Sequence, residues 1–354
     1  IERDGAGEPS GVVREHAVRL FAPLLAAAGR GDDARRLAAA VRWLHAQGIT
    51  GVHVFEDLEA IRTLRAFQAD PGRPRLRLVA HLPAADLDEV LSRGILSGAG
   101  DEWFRYGAVK LFADGTLGSR TAALLEPYEG SGERGMELAP PAELARTAVR
   151  AAAGGLAVAI HAIGDRAVRS ALDAVQAAAD GPRPAPPPRI EHAQLVDAAD
   201  LPRFARLGAW ASMQPTHCVS DIELAERDWG ARAARSYPWR SLLDAGATLV
   251  FGSDAPVEPP RPAAWLHAAL TRQRADGTPV GGFAPGQRIG LDEALRACTT
   301  ATVAAAGALG GRPAPSPSGV GVVPGASADL VVWNGDLHRL DASGLYNARP
   351  ECTV

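Results

Sequence analysis

Three cysteines in 354 residues, Cys218, Cys298 and Cys352, are few, odd in number and far apart. They make neither a disulfide framework nor a C-x-x-C metal knuckle, so a reducing, cytoplasmic setting is expected. No uninterrupted run of about 18 apolar residues occurs, and no membrane span is expected. A basic excess is lacking too. Lysines and arginines number 37 against 41 acidic residues, a net charge of −4, which excludes a general binder of nucleic acid or anionic membrane. No G-x-G-x-x-G follows a strand-like run and no G-x-x-x-x-G-K-S/T occurs, so the usual phosphate loop of a doubly wound nucleotide-binding sheet is missing. No secretory signal is visible, and the chain opens on Ile1 rather than Met.

What is present is an apolar fraction of 47%, enough for a sizeable core, and a repeated alternation of short apolar runs with amphipathic stretches. A helical pattern from about Gly11 to Gly48 precedes a strand at Ile49–Phe55. Further strands are predicted at Leu76–His81, Gly107–Phe112, Leu156–His161, Arg189–His192, Ala209–Gln214 and Thr248–Asp254. Helical periodicity separates them, and the last helix is predicted over Leu291–Gly307. Apolar strands alternating with helices imply a parallel sheet covered on both faces. Seven strand–helix units are one short of a closed (β/α) barrel. The expected fold is therefore an α/β TIM-type barrel over residues 1–310 whose first strand lies before Ile1 or is absent. A Pro/Ser/Gly linker, Gly311–Gly319, leads to two β runs around Pro324-Gly325, ending at Trp333. Residues 311–354 are expected to form this linker and a remnant of a small β-sandwich.

Four strands deliver a candidate ligand near their C-terminal ends: Lys110, His161, His192 and Asp254. A lysine within a buried strand is costly unless paired, deprotonated or chemically altered. A single strand-end histidine is more often a satisfied core residue. Three such residues together with the lysine point to one metal site, because this architecture places its active site at that end of the strands. Carbamylated by CO₂, Lys110 would become an anionic ligand; a Schiff-base lysine is the rival reading.

These residues sit in segments that resemble the amidohydrolase superfamily, specifically amidohydrolase family 3 with its YtcJ-like and N-substituted formamide deformylase-like branch. The segments are Val109–Ala122, His161–Val168, Arg189–Gln194, Ser212–His217, Phe251–Val257 and Pro324–Leu330, in the family's order. The resemblance implies a carboxylated, metal-bridging Lys110, metal ligands at His161 and His192, and Asp254 as ligand and proton shuttle. The implied reaction is hydrolysis of a non-peptide C–N bond of a small molecule by metal-activated water, with zinc the expected ion. One departure is plain: the family's His-x-His pair on the first strand has no counterpart here. One bound ion, held by Lys110, His161 and His192, is therefore expected where the family holds two, and a catalytically weak fragment is the alternative.

Secondary candidates are Asp114 and Arg120 at the pocket mouth, with Arg120 free for substrate or paired with Glu126, and His217 in the loop after the sixth strand. Asp165 reads as a helix N-cap, and His53 and His81 as barrel interior. A small-molecule substrate is the expected partner, with a homodimer left open.

Overall fold

The computed structural model describes residues 1–13, 17, 20, 21, 23, 24, 33–179, 181, 186–307 and 328–354. Residues Ile1–Ala40 and Val41–Val354 form two compact units. In the first, a short turn is closed by the Asp4 N–H donating to the Glu8 carbonyl at 2.8 Å. The second carries the sheet.

Seven strands, β1 (Gly51–Phe55), β2 (Arg77–Pro83), β3 (Phe104–Phe112), β4 (Val158–Ala162), β5 (Arg189–His192), β6 (Trp210–Met213) and β7 (Leu249–Phe251), lie side by side in chain order. Every neighbouring pair is parallel, so all C-terminal ends share one rim. Parallel neighbours require a crossover, and helices such as Pro141–Ala153 and Asp165–Ala178 provide it. The latter buries an alanine-rich stripe that includes Ala167, Ala171 and Ala174, while all five residues of β4 are buried. No described helix is long and apolar enough to cross a membrane.

The sheet is curled, and one side chain shows it. β1 and β5 stand four places apart, which in a flat sheet is about 19 Å at about 4.8 Å per strand. Arg189 Nη1 on β5 nevertheless donates to His53 Nδ1 on β1 at 3.0 Å. Arg189 also holds Glu191 Oε1 through Nε at 2.8 Å and Nη2 at 2.7 Å. Both residues are almost completely buried.

The neighbouring imidazoles complete a directional chain. His81 Nδ1 accepts from the Ala108 N–H at 2.9 Å, so its proton sits on Nε2, 3.2 Å from His53 Nδ1. His53 Nε2 then donates to the Thr302 carbonyl at 3.2 Å. Burial, reinforced by the Arg189 charge, pushes His53 down to about 3 and His81 well below the usual imidazole range. His53 and His81 thus line the interior as neutral rings.

Three expectations change. The helix predicted over Leu291–Gly307 is two helices, Leu291–Cys298 and Thr300–Ala305. Thr299 breaks it with φ −121°, ψ −92°, and the second piece carries the Thr302 carbonyl that His53 uses. The stretch after Gln214 is helical at Pro215–Ser220 and Ile222–Trp229. Val331–Trp333 pairs antiparallel with Pro350–Thr353, forming β8 and β9; the Gly311–Gly319 linker and the Pro324-Gly325 turn lie outside the described residues. The ribbon is anchored by Thr353 Oγ1 donating to the His45 carbonyl at 2.7 Å.

Replacing Arg189 by Met strands Glu191 as a buried acid without its guanidinium, a cost of about 3–5 kcal/mol. The expected outcome is a lower midpoint in urea denaturation with an unchanged slope. The double variant Arg189→Met/Glu191→Leu is expected to recover much of the loss.

Candidate metal centre

In the parallel register, Phe112 pairs with His161, His161 with Glu191 and Glu191 with Ser212. Register partners share a face of the sheet, and Glu191 points inward, since Arg189 reaches both it and β1. His161 is therefore presented to the interior by β4. Its Nε2 donates to the Gly115 carbonyl at 2.9 Å, which leaves Nδ1 with a free lone pair.

His192 follows the inward-pointing Glu191, and strict alternation would turn it toward the helices. Left-handed backbone at His192 (φ 75°) and Ala193 (φ 42°) re-aims it. Its ring then stands 4.6 Å from that of His161 in an edge-on arrangement. Asp254, after β7, also adopts a left-handed conformation, φ 56°. Such backbone costs a non-glycine residue about 1–3 kcal/mol and is concentrated at functional sites.

His217 comes from the helix Pro215–Ser220, which opens on a proline at its first position directly after β6. One ligand atom each of His192, His217 and Asp254 lies within 4.8 Å of the others. His217 Nε2 is buried and, among the described residues, has no hydrogen-bond partner, a costly condition for an imidazole nitrogen. His192 Nδ1 faces Gln214 Oε1 at 2.9 Å, which places the proton on Nδ1 and leaves Nε2 free. Burial lowers all three imidazoles, His161 and His217 to about 4 and His192 well below its usual range. Their lone pairs are thus unprotonated at neutral pH. Two imidazole nitrogens and a carboxylate, one of them an orphaned buried atom, fit a divalent ion of borderline softness.

Lys110 lies on the adjoining wall, buried, with Nζ 4.3 Å from the Phe55 ring centre and 5.0 Å from that of Phe112. Desolvation brings its amine down to about 8, against the pull of the Glu191 and Asp254 carboxylates. The same desolvation raises Asp254, with the Lys110 charge opposing it. The four expected residues, Lys110, His161, His192 and Asp254, are thus brought to one region. The tightest donor set, however, contains His217 in place of His161.

Asp114 and Arg120 each have partners within the protein. The Asp114 carboxylate is fully buried and accepts from the N–H groups of Ala123 (2.8 Å), Ile163 (3.0 Å) and Gly164 (2.9 Å). It clamps the loops after β3 and β4 together and lies 3.5 Å from His161 Nε2. Gly164 is required there, because a Cβ would fall 2.1 Å from the Ala123 carbonyl oxygen. Arg120 faces Asp228 at 3.5 Å and lies over the Tyr128 ring; Glu126 pairs instead with Arg134 at 3.6 Å. Asp165 does not cap its helix, whose N-cap is Gly164; its Oδ1 accepts from the Leu125 N–H at 2.8 Å. Gln214, Arg189 and Glu191 are the residues that sequence reasoning left without a role. Charged residues two apart in a buried strand were the available signal for the latter two, since they must share a face.

The profile of the amidohydrolase family matches residues 1–354. YtcJ of Bacillus subtilis (strain 168) is 29% identical over 364 residues, covering 100% of this chain and 66% of that protein. The N-substituted formamide deformylase of Arthrobacter pascens is 28% identical over 316 residues, covering 84% of this chain and 57% of that one. A metal-dependent hydrolase structure from Pyrococcus horikoshii OT3 superposes with a TM-score of 0.69 at 30% identity, over 77% of this chain and 55% of the other. The chain therefore spans roughly half to two thirds of the length of these proteins. With the family pattern running along the whole sequence, and its strand-end side chains gathered at one rim, this chain belongs to the amidohydrolase family.

Proposed function

We propose that this chain hydrolyses a non-peptide carbon–nitrogen bond of a small molecule at a single metal site on the C-terminal rim of the sheet. The observation that carries this reading is the convergence of His192, His217 and Asp254, with His217 Nε2 buried and unpartnered among the described residues. His192 and His217 would hold the ion through Nε2 and Asp254 through a carboxylate oxygen, with His161 and Lys110 on the adjoining wall. Zinc suits this donor set. When bound, such an ion lowers the pKa of water and polarises a carbonyl. Asp254, with its raised pKa, would take a proton from the attacking water and return it to the leaving nitrogen. Gln214 holds the His192 tautomer, and Asp114 fixes the loop behind His161.

Carbamylation of Lys110 fits the same site. The ammonium loses one proton, and the neutral amine then adds to CO₂ and releases a second, which replaces a buried cation by an anionic carboxylate beside the histidines. A Schiff-base role for Lys110 has no comparable support, because it leaves the imidazole and carboxylate cluster unexplained. We further read the curled sheet as a (β/α) barrel short of its first strand, since β1 and β7 are not paired with each other. The β8–β9 ribbon is read as a remnant of a small β-sandwich.

Metal content by mass spectrometry on zinc-loaded protein is expected to give about one ion per chain. His192→Ala and His217→Ala should each abolish it, and retention of parental metal by both variants would sink the site. Gln214→Leu removes the acceptor for His192 Nδ1 and should weaken the metal about 10–100-fold in chelator competition. In an amine-release assay over a panel of N-substituted formamides, Asp254→Asn is expected to lower kcat by about 10²–10⁴-fold.

A further inference from the structure

Behind the helix that carries His217 lies a cavity of ≈ 210 Å³, between that helix, the helix Pro262–Thr271 and Tyr346. At about 30 Å³ per water it has room for several waters or one small solute. Much of its wall is apolar, but two charged groups in it are distinctive. Arg261 is held in place by Tyr346: Nη1 donates to the hydroxyl at 3.3 Å, Nη2 to the carbonyl at 3.2 Å, and the guanidinium lies 4.8 Å from the ring centre. Glu258 accepts from Ser220 Oγ at 2.6 Å. Among the described residues Arg261 has no acidic partner and Glu258 no basic one, although both line the same cavity. A pre-oriented guanidinium and a carboxylate that do not pair with each other are complementary to a solute bearing both charges.

We propose that this cavity is a binding site for a small zwitterion of the α-amino acid class, its carboxylate on Arg261 and its ammonium on Glu258. The short side chain would rest against the apolar wall formed by Val219 and Ala264. This site is separate from the metal centre, although Thr216 and His217 are adjacent residues of one helix.

The test is calorimetric titration of the full chain with L-valine, N-acetyl-L-valine and L-valine methyl ester. Valine is expected to bind one to one, and each derivative, having lost one charge, at least about tenfold more weakly. Glu258→Gln should weaken valine and erase its advantage over N-acetylvaline; Arg261→Met should do the same relative to the ester. Both variants should keep parental metal content, which shows that they fold, and His192→Ala should still bind valine. The proposal is overturned if valine does not bind, or if the derivatives bind equally well. It also falls if His192→Ala abolishes valine binding while Glu258→Gln leaves it intact, because valine would then be at the metal centre.

Discussion

A single guanidinium inside the sheet is the constraint on which much of this molecule turns. Arg189 spans from β5 to His53 on β1 while gripping Glu191 on its own strand. Burying that many charges is unfavourable unless every donor and acceptor is met. Here the demand is met only if the sheet curls far enough to bring β1 within reach of β5. The curl in turn brings the ends of β3, β4, β5 and β7 around a common space. Arg189 and Lys110 also keep the buried Glu191 carboxylate below its ordinary pKa, against the effect of burial. A negative charge is thereby retained beside His161 and Lys110.

The site above this floor depends on burial and on a few backbone departures. Desolvation keeps His161, His192 and His217 neutral, the protonation state in which imidazole is a ligand. Left-handed backbone at His192 and Ala193 aims an imidazole that ordinary strand alternation would send elsewhere. Asp114 stabilises the loops that frame them by taking three backbone N–H groups. Burial raises it to about 7, with those three donors pulling the other way. Rigid clamps around a few strained residues are an arrangement that can hold donor atoms in place before any ion arrives.

Much of this was legible from residue order. Alternation of apolar runs with helical periods implied a parallel sheet, and the runs ending in Lys110, His161, His192 and Asp254 pointed to one rim. Other features were opaque for particular reasons. His217 lies in a helix of only six residues, too short for periodicity to reveal. Asp114 and Asp165 look like mouth and cap residues because their real partners are backbone amides in loops distant in sequence. Thr299 interrupts a continuous apolar pattern, and nothing in local propensity marks the break.

The sequence alone therefore determined the family, the parallel architecture and the chemical character of the donors, since these follow from residue type and spacing. Which atoms face each other was decided only by tertiary structure. The choice of His217 over His161 in the tightest donor set, the Gln214 contact and the Arg189 bridge each depend on how far the sheet curls and on backbone turns at single residues. Those quantities arise from the summed packing and electrostatics of many strands, and no local stretch of chain encodes them.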